Sequence, residues 1–210
     1  MLKSPLKPVM TAGLSLGVFA LLAVLLLASI QWLTKDRIAE NERVRHLLSL
    51  HEIVSLEDYD NDLLATMVER DIAINGLSDK IKIYSARSDG IELVKVYGVT
   101  SLNGYSGGIS LLVGVDMTSQ QLRGVRVASH KETPGLGDKI ETNKSDWILQ
   151  FVGKSLGNPR LNQWKIKKDG GVFDQFTGAT ITPRAVVNAV RETLKFTAQK
   201  NASKGQLLNE

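Results

Sequence analysis

The stretch DQFTGATITPRAVVNAV, Asp174 to Val190, sets Thr177, Thr180 and Thr182 around Gly178 and Ala179 immediately before a helical pattern. Two kinds of chemistry suit such hydroxyls. One is structural: a threonine oxygen accepts hydrogen bonds from the orphan N–H groups of a first helical turn, and Pro183 carries the preset φ of a first helical residue. The other is ligand chemistry, because the amide donors and positive dipole end of a helix N-terminus stabilise a phosphate. Capping asks for one hydroxyl, and this stretch presents three.

Two more turns carry glycines that let a backbone come close to a flat ligand: NGYSGG, Asn103 to Gly108, and HKETPGLGDK, His130 to Lys139. Neither fits a nucleotide-binding template, since GLGDK lacks the P-loop spacing and no GxGxxG joins a strand to a helix. The chain has no cysteine, which excludes thiolate-held clusters, disulfides and thiol catalysis. Its three histidines show no paired metal spacing, so no metal site is expected.

Taken together, DQFTGAT with the following ITP, HKETPGLGDKI, GYSGG and KKDGG resemble the FMN-binding domain of the G subunit of the bacterial Rnf (Rsx) electron-transport complex. The C subunit of the sodium-pumping NADH:quinone reductase is related and is the nearest alternative. The resemblance covers nearly the whole chain and weakens over residues 35–80 and the tail. It implies FMN carried on a threonine through a phosphoester, attached by a separate flavin transferase. That enzyme reads an acid, two variable residues, Ser or Thr, Gly, Ala, then Ser or Thr. Asp174, Gln175, Phe176, Thr177, Gly178, Ala179 and Thr180 meet every position, which makes Thr180 the implied attachment residue and Asp174 a recognition determinant. The small neighbours leave the Thr180 hydroxyl open, and Thr182 then takes the capping task.

By the same resemblance ETPGLG lines the flavin, so Glu132, Thr133, Gly135 and Leu136 are implied contacts, with Tyr105 on the same wall. The competing reading of Glu132 is a surface ion pair with Lys131 or Lys139. No catalytic base is expected, because the flavin performs the redox chemistry and the protein tunes it. The implied partners are the other membrane subunits of the complex, the flavin transferase and the lipid bilayer. A different class of function, a cofactor-free membrane-anchored binding or sensor module, would have no use for the intact attachment motif.

These turns need elements to hold them. Residues 9–33, VMTAGLSLGVFALLAVLLLASIQWL, form an uncharged run whose 25 residues extend about 37 Å as a helix, enough to span the roughly 30 Å hydrocarbon core with tilt. The apolar core of a cleaved signal peptide is shorter, about 7 to 15 residues. Residues 1–8 precede this anchor, and residues 34–65 continue with apolar positions at helical spacing as a juxtamembrane stalk, on which His46 and His51 read as exposed. Lys3 and Lys7 before the anchor and Lys35, Arg37, Arg43 and Arg45 after it give a literal count that favours the N-terminus outside. Long domains translocate largely regardless of charge, and the resemblance implies a cytoplasmic N-terminus with the flavin domain periplasmic at the inner membrane.

From residue 66 the period changes to two. KIKIYSAR, IELVKVYGVTS, GGISLLVGVD and QLRGVRVAS read as an antiparallel sheet; QWKIKKD and GVFDQF read as further strands. SDWILQFVG reads as a short helix capped by Ser145, with Trp147, Ile148 and Phe151 for the core. A last helix runs from Pro183 to about Gln199. The expected fold is α+β, a twisted antiparallel sheet with packed helices behind one transmembrane helix, the FMN domain occupying 66–199 and a flexible tail 200–210. Lys3 and Lys7 supply two of the formal charges of +4, and no basic stripe with interleaved aromatics follows, so nucleic acid is excluded as a partner.

Overall fold

The computed structural model describes residues 6–207. The expected cytoplasmic segment 1–8, the end of the 200–210 tail and the side chain of His46 lie wholly or partly outside what is described. The chain divides into two compact units that meet between Arg45 and His46.

The first unit is helix α1, Leu6–His51, whose last turn belongs to the second unit. Val9–Ile38 contains an 18-residue stretch of mean hydropathy 2.5 and its side chains are exposed on every side, the pattern of a helix long and apolar enough to cross a membrane. Its few hydroxyls bond within the helix: Ser15, Ser29 and Thr34 donate to the carbonyls of Thr11, Leu25 and Ile30 at 2.9, 2.7 and 2.8 Å. Such bonds pair these three hydroxyls where water is absent.

The second unit is built on five antiparallel strands that neighbour one another in sequence order: β1 Val68–Asp71, β2 Lys80–Ser88, β3 Ile91–Ser101, β4 Ile109–Asp116 and β5 Leu122–Ser129. The four longer ones are the four expected from alternation. Strand β1, VERD, was not expected, since all four of its residues are exposed and it offers no apolar period.

Both faces of the sheet are covered. On one face Tyr97, Val99, Leu111, Val113 and Val115 pack against α2, Ile181–Leu207, through Val186, Val187, Val190 and Leu194. On the other, Tyr84, Ala86, Val94, Val96 and Leu112 meet Leu50, Ile53, Val54 and Leu63, the residues at and just after the end of α1. Ile53 enters a notch between Gly114 and Gly124, which face each other on β4 and β5; a Cβ added at Gly114 would overlap Ile53 Cγ2. His51, expected to be exposed, is half-buried and its Nε2 lies 2.9 Å from the Tyr59 hydroxyl.

Two expectations need correction, and a third is made more specific. QWKIKKD and GVFDQF are not strands: they meet only at one parallel bridge, Ile166 to Phe173, and Lys167–Asp169 forms a 3-10 turn. Trp164 and Ile166 do alternate into the core, but the buried Phe173 and Phe176 stand three residues apart, and Gly170 at φ 82° turns the chain back too tightly for a ladder. Helix α2 begins at Ile181 rather than Pro183 and extends to Leu207, beyond Gln199, because Ala, Lys and Gln are good helix formers although they supply no apolar stripe to read. SDWILQFVG is a 3-10 helix, Asp146–Phe151, capped as expected by Ser145, whose Oγ accepts from the Trp147 N–H.

The notch yields a stability test. Gly114→Ala should destabilise the protein by about 1–3 kcal/mol through overpacking against Ile53. Adding Ile53→Ala should remove part of that clash, so the double variant should lose less than the two single losses combined in urea unfolding followed by tryptophan fluorescence. Strict additivity would show that Ile53 does not fill the notch.

Candidate functional site: a cavity beside the start of α2

Three loops converge next to the first turn of α2. The first joins β3 to β4 and carries Tyr105. The second leaves β5, where Leu136 and Gly137 N–H groups donate to the Thr133 carbonyl at 3.2 and 3.1 Å and Gly135 sits at φ 78°. Pro134 and Gly135 thus occupy the two central positions of a tight turn that favours them. The third is the DQFTGAT turn, closed by the Ala179 N–H donating to the Phe176 carbonyl at 3.2 Å with Gly178 at φ 81°. This turn rests on aromatics: the Trp147 ring lies edge-on to Phe176 at 5.2 Å, and its Nε1–H donates to the Asp174 carbonyl at 2.8 Å.

Between the loops lies an open cavity of about 230 Å³ lined by Tyr105, Glu132, Thr133, Leu136, Gly137, Gly178, Ala179, Thr180, Ile181 and Thr182. Seven of the ten residues singled out from the sequence line it. Thr177, Asp174 and Gly135 do not. Asp174 is exposed and pairs with Lys167 Nζ at 2.5 Å, while Thr177 is exposed on the turn. A Cβ at Gly135 would meet no atom within 4 Å, so that position requires glycine for its φ. Sequence reasoning missed Gly137, Ile181 and Thr182 as lining residues, although the GLG repeat and the two-residue spacing from Thr180 were visible.

Thr182 does not take the capping task expected of it. Thr182 is the second residue of α2, is buried, and its hydroxyl donates to Glu132 Oε2 rather than capping. The residue that precedes the helix is Thr180, whose carbonyl accepts from the Arg184 N–H at 3.4 Å. A capping hydroxyl bonds the N–H of the second or third helical residue, and the third here is Pro183, which has none. Among the described residues the Thr180 hydroxyl has no hydrogen-bond partner.

Glu132 is likewise not the surface ion pair that one reading allowed. It is 5% exposed; Oε1 accepts from the Ser106 N–H at 2.9 Å and its own N–H donates to His130 Nδ1 at 3.0 Å. Nearby, Arg184 in the first turn of α2 grips Asp169 with two bonds, 2.6 and 2.9 Å, and this hydrogen bonding holds the Asp169 carboxyl below the usual aspartate range.

Comparison with known proteins decides the family. The FMN-binding domain family matches residues 104–195, and the RnfG N-terminal region family matches residues 1–53. The chain is 43% identical over 198 residues to the G subunit of the ion-translocating oxidoreductase complex of Shewanella amazonensis, covering 93% of this chain and 91% of the relative. It is 48% identical over 186 residues to that of Pseudomonas aeruginosa, covering 88% and 86%. The chain belongs to the family of G subunits of ion-translocating oxidoreductase complexes. The FMN-binding domain of this G subunit holds all three loops around the cavity, and the N-terminal match contains the long apolar helix.

The indole under the DQFTGAT turn can be tested. Trp147→Phe keeps a ring against Phe176 but removes the donor to the Asp174 carbonyl, a bond worth about 1 kcal/mol. Trypsin should then cut after Lys167 or Lys168 faster than in the unaltered protein, while the far-ultraviolet circular dichroism stays the same. Unchanged cleavage would mean that the turn is held without the indole.

Proposed function

We propose that this chain is the membrane-anchored, FMN-carrying electron relay of an Rnf-type ion-translocating oxidoreductase complex, with FMN esterified to Thr180 Oγ1. The observation that carries this reading is the Thr180 hydroxyl, at the cavity lip, directly before a helix and without a hydrogen bond because Pro183 removes a capping donor. A hydroxyl so placed is available to a phosphorus electrophile. Esterification would join Oγ1 to the flavin phosphate, break the phosphoanhydride of an activated flavin donor and release the donor's other phosphate-bearing half together with the hydroxyl proton, a step assigned to a separate flavin transferase reading Asp174 to Thr180.

The residues present fit FMN. Leu136, Ala179, Ile181 and Tyr105 offer apolar surface to a flat ring, Thr133 offers polar atoms, and the first N–H groups of α2 suit the phosphate. Gly178 and Ala179 keep side chains away from the ester. FMN, when bound, takes up and passes on electrons; the residues around it bind, orient and shield it, and no protein base is required. Covalent attachment keeps the flavin from diffusing away, which suits a domain outside the cytoplasm. We assign that domain to the periplasmic side of the inner membrane, with residues 1–8 cytoplasmic and 9–33 in the bilayer. The remaining membrane subunits are the partners.

Made with a flavin transferase, the unaltered protein should fluoresce as a band on a denaturing gel. Thr180→Ala should be dark yet fold with an unchanged melting temperature to within a few degrees, since no hydrogen bond is lost. A fluorescent Thr180→Ala band would move the attachment to another hydroxyl, and a dark unaltered band would favour a cofactor-free module.

Topology is checked independently. A reporter that works only after export, fused behind Glu210, should be active; activity confined to a cytoplasmic reporter would reverse the orientation.

A further inference from the structure

We propose that Glu132 is a positioning residue, a buried carboxylate latch that sets the distance between the three loops of the flavin cavity. The inference rests on the flavin reading and adds to it how the site is held in register. A carboxylate taken out of water needs compensation. Glu132 finds it in hydrogen-bond donors from segments far apart in the chain. Oε1 accepts the Ser106 N–H of the β3–β4 loop at 2.9 Å, and Oε2 accepts the hydroxyl of Thr182, two residues after Thr180. Its own segment is tied down by the bond from its N–H to His130 Nδ1, whose Nε2 lies 2.5 Å from Glu141 Oε1.

Two glycines belong to the same device. A Cβ at Gly137 would stand 2.9 Å from Glu132 Oε2 and 2.8 Å from Thr182 Oγ1; one at Gly104 would stand 3.0 Å from Glu132 Oε1 and would overlap the Gly107 carbonyl. Both positions must stay bare for the carboxylate to reach its donors. The glycines of NGYSGG and PGLG that face Glu132 thus serve the latch, whereas Gly135 serves only its turn.

The donor pattern fixes what each substitution does. Glutamine can accept from the Ser106 N–H with its carbonyl and donate to Thr182 Oγ1 with its amide, because a hydroxyl can reverse its role. Alanine makes neither bond. Thr182→Val strips the donor from Oε2, and Gly137→Ala fills the space between the partners.

The test uses the full-length protein in detergent, prepared with and without a flavin transferase. Without flavin, Glu132→Ala should speed hydrogen exchange at the Ser106 amide by roughly ten- to a hundredfold, the range expected for losing a buried acceptor. With the transferase, Glu132→Ala, Thr182→Val and Gly137→Ala should each lower the flavin fluorescence of the gel band severalfold and weaken the visible circular dichroism per attached flavin. Glu132→Gln should stay close to the unaltered protein in all three readouts. Should Glu132→Ala fail to fold, the contrast between Glu132→Gln and Gly137→Ala decides in its place. Faster Ser106 exchange with unaltered flavin yield and dichroism would overturn the positioning role, leaving a merely structural contact. Glutamine as damaging as alanine would overturn the donor-and-acceptor account. Exchange measured without flavin reports the latch alone, so unchanged exchange in Glu132→Ala overturns it whatever the unaltered band shows.

Discussion

The second unit depends on a sheet whose central strands are buried on both faces. Along β3 and β4, successive residues go to different cores: Val96 and Leu112 to the face covered by the end of α1, Tyr97, Val99, Leu111 and Val113 to the face covered by α2. Apolar burial is the dominant favourable term in folding, and a sheet covered twice gains it on both sides. The consequence for the site is geometric. With strands in sequence order, the β3–β4 loop and the exit of β5 emerge at one end, and α2, laid across β3 and β4, brings its first turn to the same place.

How much of this was legible in the sequence varies by element. Four strands were visible because alternation survives where at least one face is buried. Strand β1 was not, since an exposed edge strand satisfies its backbone through pairing alone and leaves no apolar trace. Between Trp164 and Phe176 the buried side chains were legible as apolar residues and the backbone pairing was not, because side-chain pattern does not reveal whether a partner strand is present.

The site shows the same division. The seven-residue attachment pattern, once recognised by resemblance, marked Thr180, and three separate glycine turns pointed to loops that do converge. The division of labour among the threonines was not readable, since it depends on where α2 begins: moving the start from Pro183 to Ile181 makes Pro183 the third helical residue and takes the cap from Thr182. The partnership of Glu132 with Thr182 spans 50 residues and has no local signature.

The glycine notch that admits Ile53 has a practical corollary for anyone seeking a soluble form of this protein. Leu50, Ile53, Val54 and Leu63 are lids on one side of the sheet, not spacer. A fragment trimmed to begin at the first strand would present Tyr84, Val94, Val96 and Leu112 to water as one continuous greasy surface, and such surfaces promote aggregation. The useful cut lies before Leu50, inside α1 itself, so that the membrane helix can be discarded only if its final turn is kept.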